Sequence, residues 1–245
     1  MQVSRCCCGP GGCDPVTGFV DEFNTFSYSV DPPAATAGWK GYFANPGSMA
    51  IRISPPGTLE LAEQELFFGR WWVLDRCANA NSSIIGMLHR LKGEYQTYPT
   101  NIGGWQGVSL FAVFDSTQWV VQHVLQFDEQ TQGWRLAMAL GYIAPGAGGS
   151  QNVESYITGV LQGDISTQPQ GAWTFDMEVI HEQINANQWS LVVTNFGNVV
   201  FSVVTAPPAS VGPEWRHGFG SAASLDSSAP QVTRIDRFSY IARTA

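Results

Sequence analysis

Charge is scarce in this chain. Only 13% of its 245 residues are charged, about half the usual share of a soluble domain. Basic residues are scarcer still, with 12 Lys and Arg against 20 Asp and Glu, a net charge of −8 and a pI near 4.8. A nucleic-acid binder needs a basic stripe to neutralise phosphates, so that class of partner is excluded. Long apolar runs are missing as well: no stretch reaches the 18 or so residues that span a bilayer. Met1-Gln2-Val3-Ser4-Arg5 runs straight into cysteines without an apolar segment, which is unlike a secretory signal. The expectation is a protein that is cytoplasmic before assembly and then sits in a virion or extracellular surface assembly. Also missing are a Pro/Ser linker, an internal repeat, a G-x-S-x-G elbow, a phosphate or dinucleotide loop and any D-x-D-x-D calcium run.

What is present is hydrophobic patterning. Apolar residues make up 44% of the chain, enough for a sizeable core at this length. Trp119 to Phe127 alternates, its odd positions forming one apolar face interrupted by His123. Val108 to Phe114 is apolar on both faces apart from Ser109, which predicts a central strand covered on each side. Further strand signals run over Leu66–Leu74, Ser83–Leu91, Trp134–Tyr142, Val153–Leu161, Trp173–Ile180, Trp189–Thr194, Val199–Thr205 and Val232–Ile241. Gly- and Pro-rich clusters separate them, and Asn195-Phe196-Gly197-Asn198 reads as a tight hairpin. The best helix candidate is Leu59 to Phe68, with Glu60, Glu63 and Glu65 on its polar side, though a strand reading competes. Many short strands spaced by turns predict an all-β fold, a two-sheet antiparallel jelly-roll sandwich over residues 19–245, preceded by a Cys/Gly-rich arm over 1–18.

The two ends carry the most specific signal. Phe19-Val20-Asp21-Glu22-Phe23-Asn24 opens the sandwich, and Arg234-Ile235-Asp236-Arg237-Phe238-Ser239-Tyr240 closes it. This arrangement resembles the concanavalin A-like jelly rolls of the laminin-G and glucanase type, in which a "D-x-F" strand pairs with a closing "I-D-x-F" strand. Trp173–Ile180, Gln188–Thr194 and Val199–Val204 resemble that fold's consecutive hairpin strands, and Trp215-Arg216-His217-Gly218-Phe219-Gly220 its strand before the last. The resemblance implies architecture more than function, because the superfold hosts lectins, glycosidases, adhesion modules and viral coat proteins.

Glycosidases of this type use alternating carboxylates on one strand, one attacking and one protonating. The nearest match is Thr174-Phe175-Asp176-Met177-Glu178, with Glu182 further along, but Thr174 stands where the first carboxylate belongs. Asp176 and Glu178 are therefore expected to line a solvated face, and no catalytic residue is assigned. The histidines, His89, His123, His181 and His217, fall on different predicted strands with no metal-binding spacing; each is expected to be a hydrogen-bonded or surface residue. Nine tryptophans exceed what a core needs, so exposed ones could stack on sugars or anchor a protein interface. Trp71, Trp72 and Trp105 are the candidates for touching a ligand or partner.

Cys6, Cys7, Cys8 and Cys13 crowd the arm, with Cys77 elsewhere. They lack the paired C-x-x-C spacing of zinc sites. A metal site, disulfides within or between chains, and free thiols all remain open, as does calcium held by rim loops. The arm is loosely similar to those of planctomycete- and phage-type jelly-roll proteins. The expectation is a non-enzymatic structural or adhesion protein that self-associates or joins other subunits in a virion-like assembly. The alternative is a carbohydrate-binding, lectin-like module, including a degenerate glycoside hydrolase.

Overall fold

A computed structural model describes residues 18–24, 28–30, 33–35, 40–43, 49–53, 57–63, 72–79, 84–96, 105–113, 118–128, 133–143, 160–167, 173–205, 207, 214–224 and 231–245. The elements in chain order are β1 (Phe19–Asp21), β2 (Tyr28–Val30), β3 (Pro33–Ala35), β4 (Lys40–Phe43), β5 (Met49–Ile53), β6 (Leu59–Glu63), β7 (Trp72–Asn79), β8 (Ile84–Tyr95) and β9 (Trp105–Val113). They continue as β10 (Gln118–Asp128), β11 (Gly133–Ile143), β12 (Val160–Thr167), β13 (Trp173–Asn185), β14 (Gln188–Asn195), β15 (Asn198–Thr205), β16 (Glu214–Ser224) and β17 (Gln231–Thr244). Among the described residues no helix is long and apolar enough to cross a membrane.

The strands form two large antiparallel sheets, the layers of a jelly-roll sandwich. One sheet runs β12-β11-β10-β9-β16-β7-β4. The other, here the terminal sheet, runs β15-β14-β13-β8-β17-β6-β5, with β1 beside β17. The proposed end pairing is present: Phe19, Val20 and Asp21 lie opposite Tyr240, Ser239 and Phe238. Asp21 accepts a 2.7 Å hydrogen bond from the Phe23 backbone N–H. That turn holds Phe23 at φ 49°, a left-handed conformation, with its ring fully buried and edge-on to Phe219 at 5.8 Å. The aspartate of the opening motif therefore supports a strained residue whose burial offsets the cost.

The period-two readings hold. In β10, Trp119, Val121, His123 and Leu125 are buried, and in β9 every residue from Gln106 to Ala112 is buried, as a strand covered on both sides requires. The Phe196-Gly197 turn has both residues at positive φ (49° and 74°), the geometry of a two-residue hairpin that joins β14 to β15. Over Leu59–Glu63 the strand alternative holds. The helix candidate starts as a strand: β6 pairs with β5 and β17, and Glu60, placed on a solvated helix side, is 2% exposed with its carboxylate 3.2 Å from Arg234 Nε. Tertiary pairing overrides the helical spacing. Of the strand expected over Val153–Leu161, Val160 and Leu161 open β12 (Val160–Thr167); residues 153–159 lie outside the described residues, as do 66–71 of the Leu66–Leu74 run.

The terminal sheet bends where β17 shifts register between Ile235 and Arg237 opposite β8. Gly93 makes that approach possible. A Cβ there would strike the Arg234 carbonyl oxygen and lie 2.8 Å from the Phe175 ring. Backbone cannot yield as a flexible side chain can, so Gly93→Ala should lower stability by about 2–3 kcal/mol. Denaturant unfolding checks this; an unchanged midpoint would mean that the bulge relaxes freely.

Candidate functional site

All four histidines are fully buried between the sheets rather than at the surface. Two of them meet. His217 on β16 and His89 on β8 face each other across the sandwich, with Nδ1 of the first 3.3 Å from Nε2 of the second. Trp119 and Tyr240 pack around His89, with ring centroids at 5.1 and 6.0 Å. At that separation one imidazole donates and the other accepts, which requires at least one neutral ring. Burial drives the His89 pKa well below its ordinary value, and repulsion from His217 adds to the effect.

His123 has a different partner. The Tyr95 hydroxyl donates to the His123 carbonyl oxygen at 2.6 Å and lies 3.1 Å from the ring Nδ1. A hydroxyl has one proton, so it accepts from Nδ1–H, and this fixes the tautomer. Nε2 has no partner among the described residues, and burial lowers this pKa to about 4. His181 sits edge-on to Trp189 with Nε2 3.4 Å from Thr205 Oγ1, and burial lowers its pKa to about 3. A third contact between the sheets joins Gln106 Nε2 to Thr233 Oγ1 at 2.8 Å. These groups are closed to any ligand. They set the alignment of the sheets through directional bonds in an otherwise apolar core.

The carboxylate candidates are engaged as well. Asp176 and Glu178 share the outer face of the terminal sheet, where β13 pairs with β8. Arg90 Nε and Nη2 reach the two Asp176 oxygens at 2.6 and 2.5 Å, and Nη1 lies 3.4 Å from Glu178. The bidentate Asp176 bond raises the Arg90 pKa. The guanidinium thus fills the space between the two carboxylates and takes up both as ion-pair partners. Among the described residues, no group of three or more His, Cys, Asp or Glu could hold a metal ion.

A further buried arrangement lies on the outer face of the seven-stranded sheet. Val108, Leu110 and Ala112 of β9 enter the core, so Ser109 and Phe111 point away from it, as do Val120 and Gln122 of β10. Register makes two short rows: Gln122 beside Ser109 and Gly220, and Val120 beside Phe111 and Gly218. A polar row adjoins an apolar, aromatic one, with Gly220 and Gly218 of β16 alongside. All four side chains are buried although they point outward, which makes this a secluded strip. Ser109 Oγ has no hydrogen-bond partner among the described residues.

Of the sequence candidates, Trp105 begins β9 in register with Gln126 and Ser224, and Trp72 begins β7 opposite Ser221. Both strands flank β16 in this sheet. Trp71, Cys6, Cys7, Cys8 and Cys13 lie outside the described residues. The row of Ser109 and Gln122 escapes sequence reasoning because it exists only once β9 and β10 are in register. Its one local signal is Ser109, the polar interruption of an apolar run.

The architecture is that of the lectin-like, concanavalin A-like jelly rolls. No family profile and no curated protein matches the chain by sequence. Solved structures do match in shape. An alginate lyase Aly36B mutant in complex with alginate trisaccharide superposes with a TM-score of 0.56 at 8% identity, covering 93% of this chain and 98% of that one. The potassium-bound carbohydrate recognition domain of Emp46p gives 0.53 at 9% identity, over 84% and 88%. The CBM2 module of an evolved Dit from Lactobacillus casei BL23 phage J-1 gives 0.51 at 10% identity, over 94% and 98%.

Proposed function

We propose that this protein is a carbohydrate-binding, lectin-like adhesion module without catalytic activity, working as one subunit of a virion or surface assembly. The observation that carries the reading is the two-sheet jelly-roll architecture, which the chain shares with solved carbohydrate-binding proteins. Trp105, which begins β9, is the tryptophan proposed to stack on a sugar. Support also comes from the identity of the structural neighbours: an alginate lyase in complex with alginate trisaccharide, a carbohydrate recognition domain and the CBM2 module of a phage Dit. The phage module favours the adhesion role within an assembly. The Arg90 clamp on Asp176 and Glu178 argues against use of those carboxylates as acid and nucleophile.

A glycan array followed by calorimetry on the best polysaccharide, with alginate included, tests this. Binding should weaken about tenfold in Trp105→Ala, the effect of one lost stacking group. No glycan bound by the folded protein would remove the carbohydrate reading. Release of unsaturated or reducing ends from alginate or a β-glucan would replace a binding module with an enzyme.

A further inference from the structure

Among the described residues, the two that hold positive φ without being glycine are both phenylalanines, Phe23 and Phe196, each at 49°. The left-handed region is unfavourable for a bulky side chain. At Phe23 full burial of the ring offsets the strain. At Phe196 nothing comparable does, because this ring is 53% exposed, the one exposed aromatic ring among the described side chains. Phe196 stands at the first central position of the two-residue turn between β14 and β15, where asparagine, aspartate and glycine fit best. The turn is nevertheless held firmly. Phe196 N–H donates to the Asp176 carbonyl oxygen at 2.9 Å, and Asp176 N–H donates to Asn195 Oδ1 at 3.0 Å. Arg90 in turn clamps the Asp176 carboxylate. Beyond the turn there is open space: a Cβ at Gly197 would meet nothing within 4 Å.

We propose that Phe196 is a glycan-stacking platform: its ring takes the apolar face of a pyranose, and Asn198 and Thr174 beside it take the sugar's hydroxyls. This site rests on the carbohydrate-binding reading above and adds an aromatic contact apart from Trp105. The surroundings suit an uncharged sugar. Asn198 and Thr174 are exposed, Val199 adds one further apolar group at 64% exposure, and neither β14 nor β15 carries a charged residue. One ring among amides and hydroxyls is too small an apolar area to anchor a protein, whereas sugar sites are built from that combination. Strain kept at an exposed residue, and fixed there by backbone bonds, is the pattern of a preorganised binding group. The turn also lies toward the end of the sandwich where Trp105 begins β9. Trp173 opens β13 opposite Tyr95, Tyr95 is opposite Thr233, and Thr233 bonds Gln106, the residue after Trp105.

The test compares the full chain with Phe196→Asn and Phe196→Tyr, by calorimetry on the best ligand of a glycan array and on alginate and a soluble β-glucan. A residue kept for the fold loses stability when replaced, and one kept for a ligand gains it. Phe196→Asn should weaken binding at least about tenfold, the effect of one lost stacking ring. It should also raise the unfolding midpoint by about 2–4 °C, because asparagine suits the left-handed turn. Phe196→Tyr should bind within about threefold of wild type, since the ring is kept. A lower midpoint in Phe196→Asn means that the ring packs for stability, and it overturns the proposal. A changed sedimentation coefficient in that variant assigns the ring to a protein contact, and overturns it too. A wild type that binds glycan, with Phe196→Asn binding equally well, leaves the carbohydrate reading standing and removes this site. A wild type that binds no glycan removes both.

Discussion

Between pH 8 and pH 5 the protein should lose at least about 4 kcal/mol of stability, a large part of the 5–15 kcal/mol that a domain holds. The cause is the buried imidazoles. His89, His123 and His181 are kept neutral in the fold chiefly by burial, with pKa values of about 4 for His123 and about 3 for His181. In the unfolded chain each titrates near 6.5. The unfolded state therefore binds more protons at acid pH, and stability rises with pH. The full contribution is present above pH 6.5. It falls by about 1.4 kcal/mol per pH unit per histidine below that, and levels only as the folded-state values are reached. Asp236, whose pKa burial raises, acts in the opposite direction, but as a single carboxyl in the acid range. Denaturant unfolding at the two pH values measures the difference. His123→Leu should reduce it by about 2 kcal/mol, one histidine's share, while the Tyr95 hydroxyl keeps its bond to the backbone carbonyl at position 123. A pH-independent stability over this range would mean that water reaches these rings.

That sensitivity was not legible in the sequence, for a physical reason. His89 and His217 are 128 positions apart and meet only when β8 and β16 face each other across the sandwich. No local period reports such a contact. The same holds for Arg90, 86 positions from the Asp176 that it clamps, and for the row of Ser109 and Gln122. Local signals succeeded where one strand's own environment decides. Alternation in β10 names its core face, the doubly apolar run in β9 reports cover on both sides, and positive φ at Phe196 and Gly197 follows from the turn pair. Leu59–Glu63 lies between these cases, where helix and strand readings compete. Its glutamates are spaced for a helix, yet Glu60 is used by Arg234 of β17, a residue that only the tertiary fold brings near.

The closing motif was legible because its residues bury where its strand pairs, and Phe238 is where the largest single-residue effect is expected. Its ring is fully buried at the point where three strands meet. It lies 6.4 Å from Phe19 of β1, 5.7 Å from Phe219 and 5.4 Å from His217, both of β16. Phe238 thus joins the first strand to the last and one sheet to the other. Removing the ring leaves a cavity lined by other aromatic rings, which cannot collapse without moving the His217–His89 contact. Phe238→Ala should cost about 3–5 kcal/mol, the upper range for a large core truncation. Phe19→Ala should cost less, because Phe19 is only partly buried. Chemical denaturation of the two variants at pH 8, where the histidines are neutral in both states, separates this packing loss from the proton linkage. A loss below about 1 kcal/mol in Phe238→Ala would mean that the first and last strands are held together by their backbone ladder alone.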